Sequence, residues 1–172
     1  LGIIKKRQGN RLAEDSPRNT YRTKDDEWIG VSASSQKTFE RLAEAIGMPE
    51  LIADPRFVNN VERCANADVL DDFMVSWFVR HEKSEIMQLF DTLNVVAGPV
   101  VDISDIFQDP HYAARESIVS VPDTDFGEVK MQGVVPKFSK NPGKVRYPGG
   151  ALGQDNEEVF RDMLGLDETE FK

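Results

Sequence analysis

The side chains able to carry covalent, acid–base or metal chemistry are few and scattered in this sequence of 172 residues. Its single cysteine, Cys64, follows Glu62 and Arg63, but neighbours in sequence do not lower a thiol pKa, so an inert, partly buried thiol is expected. His81 and His111 form no metal-ligand pattern and are expected on a loop or helix surface. No metal site is expected. Asp and Glu are dispersed along the chain, and no pair can be assigned as general acid and base. Gly9-Asn10 and Gly149-Gly150 lack the strand–loop–helix context and the Lys-Ser/Thr of a phosphate loop.

One run stands apart. Ser32-Ala33-Ser34-Ser35-Gln36 places small polar side chains between an apolar strand and an amphipathic helix, where backbone amides stay open to an anion or a carbonyl. Helix capping explains the same residues. Two readings therefore stand at this point: a cap alone, or a cap that also contributes Ser34, Ser35 and Gln36 to an active-site wall.

The elements that must position this run are legible from periodicity. Trp28-Ile29-Gly30-Val31 reads as a short strand, and Ser34 or Ser35 caps a helix with Phe39, Leu42, Ala43 and Ile46 on its apolar face, closed by Gly47. Pro49 opens a short helical turn that Asp54-Pro55 ends. Val69, Leu70, Phe73, Met74, Trp77 and Phe78 predict one helix over about 60–79 with a wide buried stripe. Ser84 is expected to cap the next helix, 85–93, with a left-handed exit at Asn94. Residues 95–100 read as a strand or a buried extended segment, 103–107 as a short helix interrupted by Asp109-Pro110, and 117–121 with 128–131 as two strands. One core over 21–136 is expected to hold Phe39, Leu42, Leu70, Phe73, Trp77, Phe90 and Val100. The prolines and glycines after Pro136 predict an extended tail that needs another surface to lie on, ending in a helix over about 156–164.

Composition narrows the function classes. The net charge is −9, with hydrophobic residues at 40% and charged residues at 30%, so the chain is globular and generic binding to nucleic acid or anionic membrane is disfavoured. No apolar run approaches the roughly 20 residues of a membrane-spanning helix. A lone cysteine fits a reducing, cytoplasmic setting. Residues 1–24 hold seven basic and two acidic side chains, whereas the remainder is strongly acidic, which marks a boundary near Tyr21. The opening Leu1-Gly2-Ile3-Ile4 reads as the middle of a longer protein.

Taken in order, Gly9-Asn10, Tyr21-Arg22-Thr23 before the Asp25-Asp26 turn, Trp28 to Ala33, Asp54-Pro55-Arg56-Phe57, Arg63 with Asn66, Ala97-Gly98-Pro99-Val100, Asp109-Pro110, Pro136-Lys137-Phe138-Ser139 and Leu152-Gly153 resemble the C-terminal part of a family III (CaiB/BaiF) CoA-transferase. The resemblance implies an α/β fold of the α+β kind: helices around a small, mainly antiparallel sheet, with an extended tail that packs on a Rossmann-like large domain. It implies a linker at 1–20, a small domain at 21–136 and a returning segment at 137–172. It also implies an interlocked homodimer that moves CoA between an acyl-CoA and a carboxylic acid through aspartyl-anhydride and aspartyl-CoA intermediates. The CoA thioester is then a substrate, with no prosthetic group, and cofactor-binding residues stay unassigned. The nucleophilic aspartate belongs to the large domain, so no catalytic residue is assigned in this chain and the isolated segment is expected to be inactive. Racemases of the family carry a glutamate where Ser35 stands, and formyl-CoA transferases carry a glycine-rich loop that Gly9-Asn10-Arg11-Leu12 does not supply. A transferase of another acid specificity is favoured, with an alpha-methylacyl-CoA racemase-like isomerase or a non-catalytic acidic interaction domain as the alternatives.

Overall fold

The computed structural model describes residues 2, 4 and 7–171. It divides into two compact units, residues 1–100 and 101–172. The first is built on a three-stranded antiparallel sheet of order β1-β2-β3: β1 is Arg18–Arg22, β2 Trp28–Ser32 and β3 Ala97–Pro99. Strand alternation buries Ile29 and Val31 of β2 and leaves Trp28 exposed. Tyr21 lies opposite Ile29, and Val31 lies between Asn19 and Ala97.

Helix α1, Gln36–Ala45, follows β2 directly and buries Phe39, Leu42, Ala43 and Ala45. Its exit is a Schellman turn: Met48 N–H reaches Ala43 O at 2.8 Å, Gly47 N–H reaches Glu44 O at 3.1 Å, and Gly47 has φ 72°. The expected glycine stop is therefore observed. A 3-10 turn at Pro49–Ile52 leads to α2, Asn60–Ala65, and α3, Ala67–Phe78. The single helix expected over 60–79 is thus two. Asn66 interrupts it at φ −113° and ψ 28°, and its side-chain amide donates to Glu62 O at 2.9 Å, which satisfies the end of α2.

Helix α4 is Lys83–Thr92, and its cap is Glu82 rather than Ser84. Glu82 and Glu85 form a reciprocal capping box, so the helix begins two residues before the expected start. The left-handed exit at Asn94 is found, with φ 55° and Val95 N–H bonded to Phe90 O at 2.8 Å. The main core runs from Tyr21 to Val95 rather than on to Pro136. Trp77 and Phe90 stack with centroids 5.7 Å apart, Phe78 meets Phe90 edge-on at 5.9 Å, and Tyr21 stacks on Phe78 at 4.9 Å. Each fully buried Phe or Leu contributes about 1.5–3 kcal/mol. Phe73 is half-buried at the edge of this core. Val100, expected inside, is 48% exposed, because only its backbone N–H is tied to the sheet, at Trp28 O.

The second unit holds two short helices, α5 at Ile103–Gln108 and α6 at Pro110–Ala114, capped by Asp102 and Asp109, and a hairpin of β4, Ile118–Asp123, with β5, Gly127–Gln132. The hairpin turn is an Asx type: Asp123 Oδ1 accepts from the N–H groups of Asp125 and Phe126, both at 2.9 Å. Val121 is the one buried hydrophobic residue of this unit among the described residues, while Phe126, Phe138, Leu152 and Met163 are exposed. Residues 137–153 contain no strand or helix, and a π-helical segment, Glu157–Met163, lies where a helix over 156–164 was expected. No helix among the described residues is long and apolar enough to cross a membrane.

Candidate functional site

The β2–α1 junction is held from inside by Arg63, a landmark of the resemblance whose burial and role the sequence does not reveal. Arg63 of α2 is completely buried. Its Nε donates to Ser16 O at 2.8 Å, Nη1 to Phe57 O at 3.1 Å and to Gln36 Oε1 at 3.0 Å, and Nη2 to Ser34 O at 2.6 Å. The guanidinium also lies over the Phe39 ring, 4.4 Å from its centroid. All four acceptors are neutral oxygens. Burial lowers the Arg63 pKa, yet a guanidinium starts so high that it stays charged at neutral pH. A rigid planar fork is the one side chain able to serve three carbonyls and a carboxamide from a single point.

Around this fork the expected junction residues take different positions. Ser34 is half-buried, and Ser35 and Gln36 are exposed. Ser35 is the N-cap of α1, with Oγ accepting from Thr38 N–H at 3.3 Å and its carbonyl accepting from Thr38 Oγ1 at 2.9 Å. Gln36 is the first helical residue, and its Nε2 donates to Glu40 Oε1 at 3.2 Å. Ser34 and Gln36 are therefore joined through Arg63, while Ser35 serves the helix. The signal for Arg63 in the sequence was weak: a short helix has no periodic stripe from which burial of position 63 can be read.

The other chemistry-bearing residues are not gathered here. Cys64 is half-buried, with Sγ 3.8 Å from Asn60 Oδ1; burial chiefly, with Asp15 and Glu14, raises its pKa and keeps it a thiol. His81 stacks on Trp77 with centroids 4.2 Å apart and places Nδ1 2.8 Å from Trp77 O. His111 is exposed in the first turn of α6. No group of three or more potential metal ligands occurs among the described residues. A shallow groove of about 660 Å³ lies at the far end of α1, lined by Ile46, Trp77, His81, Ile86 and Leu89, and includes none of Ser34, Ser35 or Gln36.

Asp71 of α3 is the buried carboxylate among the described residues. It accepts from Tyr21 Oη at 2.5 Å and from Asn19 Nδ2 at 2.9 Å, and it pairs with Arg11 Nη2 at 2.5 Å. Burial, reinforced by the Asp71 charge, pushes the Tyr21 phenol far above its ordinary range. With donors on both oxygens, Asp71 ties β1 and the N-terminal segment to α3.

Comparison with known proteins identifies the family of the chain. A family model described as CoA-transferase family III matches residues 2–156. The chain is 41% identical over 169 residues to a succinyl-CoA–D-citramalate CoA-transferase of Chloroflexus aurantiacus, covering 98% of this chain and 42% of that protein. It is 32% identical to the alpha subunit of a succinyl-CoA–L-malate CoA-transferase of the same organism, covering all of this chain and 40% of that one. The fold matches a CaiB/BaiF family protein from Brucella suis with a TM-score of 0.71 at 23% identity, over 94% of this chain and 41% of that one. The chain thus spans about two-fifths of the length of the curated relatives it matches. Its helices and small antiparallel sheets are those of this fold, and the chain belongs to CoA-transferase family III.

Proposed function

We propose that the complete protein is a CoA-transferase that passes CoA from an acyl-CoA to a carboxylic acid through aspartyl-anhydride and aspartyl-CoA intermediates. This chain forms its C-terminal portion, with 1–20 as a linker, 21–136 as the small domain and 137–172 as the segment returning to a large domain. The observation that carries the reading is the 41% identity over nearly the whole chain to a succinyl-CoA–citramalate enzyme. Two relatives named for succinyl-CoA favour succinyl-CoA as donor and a 2-hydroxy dicarboxylate, such as citramalate or malate, as acceptor.

The aspartyl nucleophile lies outside this chain. Asp71 is unsuited to the role, since its oxygens are committed to Tyr21, Asn19 and Arg11 and a nucleophile must reach the thioester carbonyl. Ser34, Ser35 and Gln36 form a wall of the acyl site, and the protein works as an interlocked cytoplasmic homodimer. A serine at position 35 provides no carboxylate base for racemisation. The test is CoA transfer by the complete protein from succinyl-CoA to a panel of carboxylic acids, followed by mass spectrometry. New acyl-CoA and free succinate should appear together. Epimerisation of a branched acyl-CoA without transfer contradicts the proposal.

A further inference from the structure

The four acceptors of Arg63 fix more than the backbone. A guanidinium only donates, so the carboxamide of Gln36 must turn its oxygen inward to Nη1, as the 3.0 Å contact shows. Its Nε2 then faces away from the core. One of the two amide hydrogens goes to Glu40 Oε1 at 3.2 Å, and the second has no partner among the described residues. The side chain is exposed at its outer end yet held at its inner end by a residue that is wholly buried.

This arrangement differs from an ordinary surface glutamine in two ways. Its orientation is set before any ligand arrives, which removes most of the ordering cost of a new hydrogen bond. Its oxygen also accepts from a buried cation whose other acceptors are neutral, and that charge polarises the carboxamide and strengthens Nε2–H as a donor. A strengthened, outward N–H donor selects an oxygen acceptor, and an anionic carboxylate above a neutral one.

We infer that the Gln36 carboxamide is a specificity-determining group that donates to a carboxylate oxygen of the acid substrate, and that Arg63 is the positioning residue that aims it. The inference rests on the proposed CoA-transferase reading and names the group that meets the acid. It requires no covalent step at Gln36: the carboxamide binds and orients, and its proton stays on Nε2.

Gln36→Glu separates aiming from donating. The substituted side chain still accepts from Arg63, now as an ion pair, but it has lost the outward N–H. The comparison is made in a Glu40→Gln background, which removes the like-charge contact one turn away. In the complete protein, kcat/KM for the acceptor acid should fall by at least about 10- to 150-fold, chiefly through KM. That range is the loss of one hydrogen bond to a charged group, and repulsion between the new carboxylate and the acid adds to it. The neutral Gln36→Met, which lacks the N–H without the charge, should by itself give a loss within that range. Thermal stability should be unchanged to within about 2 °C. Arg63→Lys should produce a similar loss, and adding Gln36→Met to it should cost little more, because the two residues act as a unit. Retention of transfer to within about threefold by Gln36→Glu overturns the inference. If the parent protein moves CoA to no carboxylate, the transferase reading fails on its own. Titration of the Gln36 side-chain amide by ¹H–¹⁵N NMR with saturating succinate then decides the inference separately: a shift of that resonance supports it, and an unmoved resonance overturns it.

Discussion

Replacement of Arg63 by methionine gives a defined test of how the first unit is held together. Methionine fills much of the same space and carries no donor, so four acceptors lose their partner together. They do not lose it equally. Ser34 is half-buried and Gln36 exposed, so water can replace the guanidinium at both. Ser16 and Phe57 are buried at 3% and 0% exposure, and their carbonyls are left without a donor. Two stranded acceptors at about 1–3 kcal/mol each give about 2–6 kcal/mol. The contact with Phe39 is worth about 0.5–2 kcal/mol and is largely replaced by a sulfur–aromatic contact of similar size. Relief from burying a cation offsets part of the loss. The expected cost is about 3 kcal/mol, a large share of the roughly 5–15 kcal/mol available to a domain. Both tryptophans, Trp28 and Trp77, lie in the first unit, so their fluorescence during urea unfolding of this chain reports that unit alone. The midpoint should fall with an unchanged slope. A loss below about 1 kcal/mol would mean that water already serves the Ser16 and Phe57 carbonyls, and would refute the stapling role.

Other outcomes follow from the same contacts. Trp77→Ala removes the side chain stacked on Phe90 and His81 and should cost about 3–5 kcal/mol in the same urea experiment, with a loss below about 1 kcal/mol excluding it from the core. Gly47→Ala places a Cβ on a residue at φ 72° and should cost about 1 kcal/mol without touching any neighbour; an unchanged midpoint contradicts the Schellman turn. Ser35→Ala in the complete protein should lower stability by about 1 kcal/mol through the lost cap and keep transfer within about tenfold, so a thousandfold selective loss of transfer would give Ser35 a catalytic role. Residues 137–153 should exchange amide hydrogens rapidly in this chain and slowly in the complete protein, since ordering them costs about 1–2 kcal/mol per residue; equal, strong protection in both would make the segment self-sufficient.

What could be read in advance was local. Gly47 and Asn94 announce their helix ends because a left-handed residue after an amphipathic run is a short-range signal. The adjacent Ser34 and Ser35 announce a cap because a short hydroxyl ahead of such a run can bond the first-turn amides, the structure choosing Ser35. Strand β1 was not legible. Its one apolar core residue is Tyr21, and the side chains of Asn19 and Tyr21 both end on Asp71, half a hundred positions later in the chain. The break at Asn66 was hidden because every apolar position that predicts the helix lies after it, so residues 60–66 carry no stripe of their own to mark a separate element, while the carbonyl that Asn66 satisfies belongs to the preceding turn. Arg63 illustrates the same limit at the candidate site. An arginine in a polar helix reads as surface, and its burial becomes intelligible only when Ser16, Ser34 and Phe57 converge on it from three separate segments.

The central claim is that the reaction passes through an aspartate outside this chain while residues 1–172 bind and shape. Trapping addresses it directly. The complete protein is mixed with succinyl-CoA, the enzyme-bound thioester is reduced with borohydride, and the altered residue is located by peptide mass spectrometry. A single reduced aspartate is expected, in a peptide that does not belong to residues 1–172. A reduced aspartate or glutamate within them, Asp71 included, would contradict that claim.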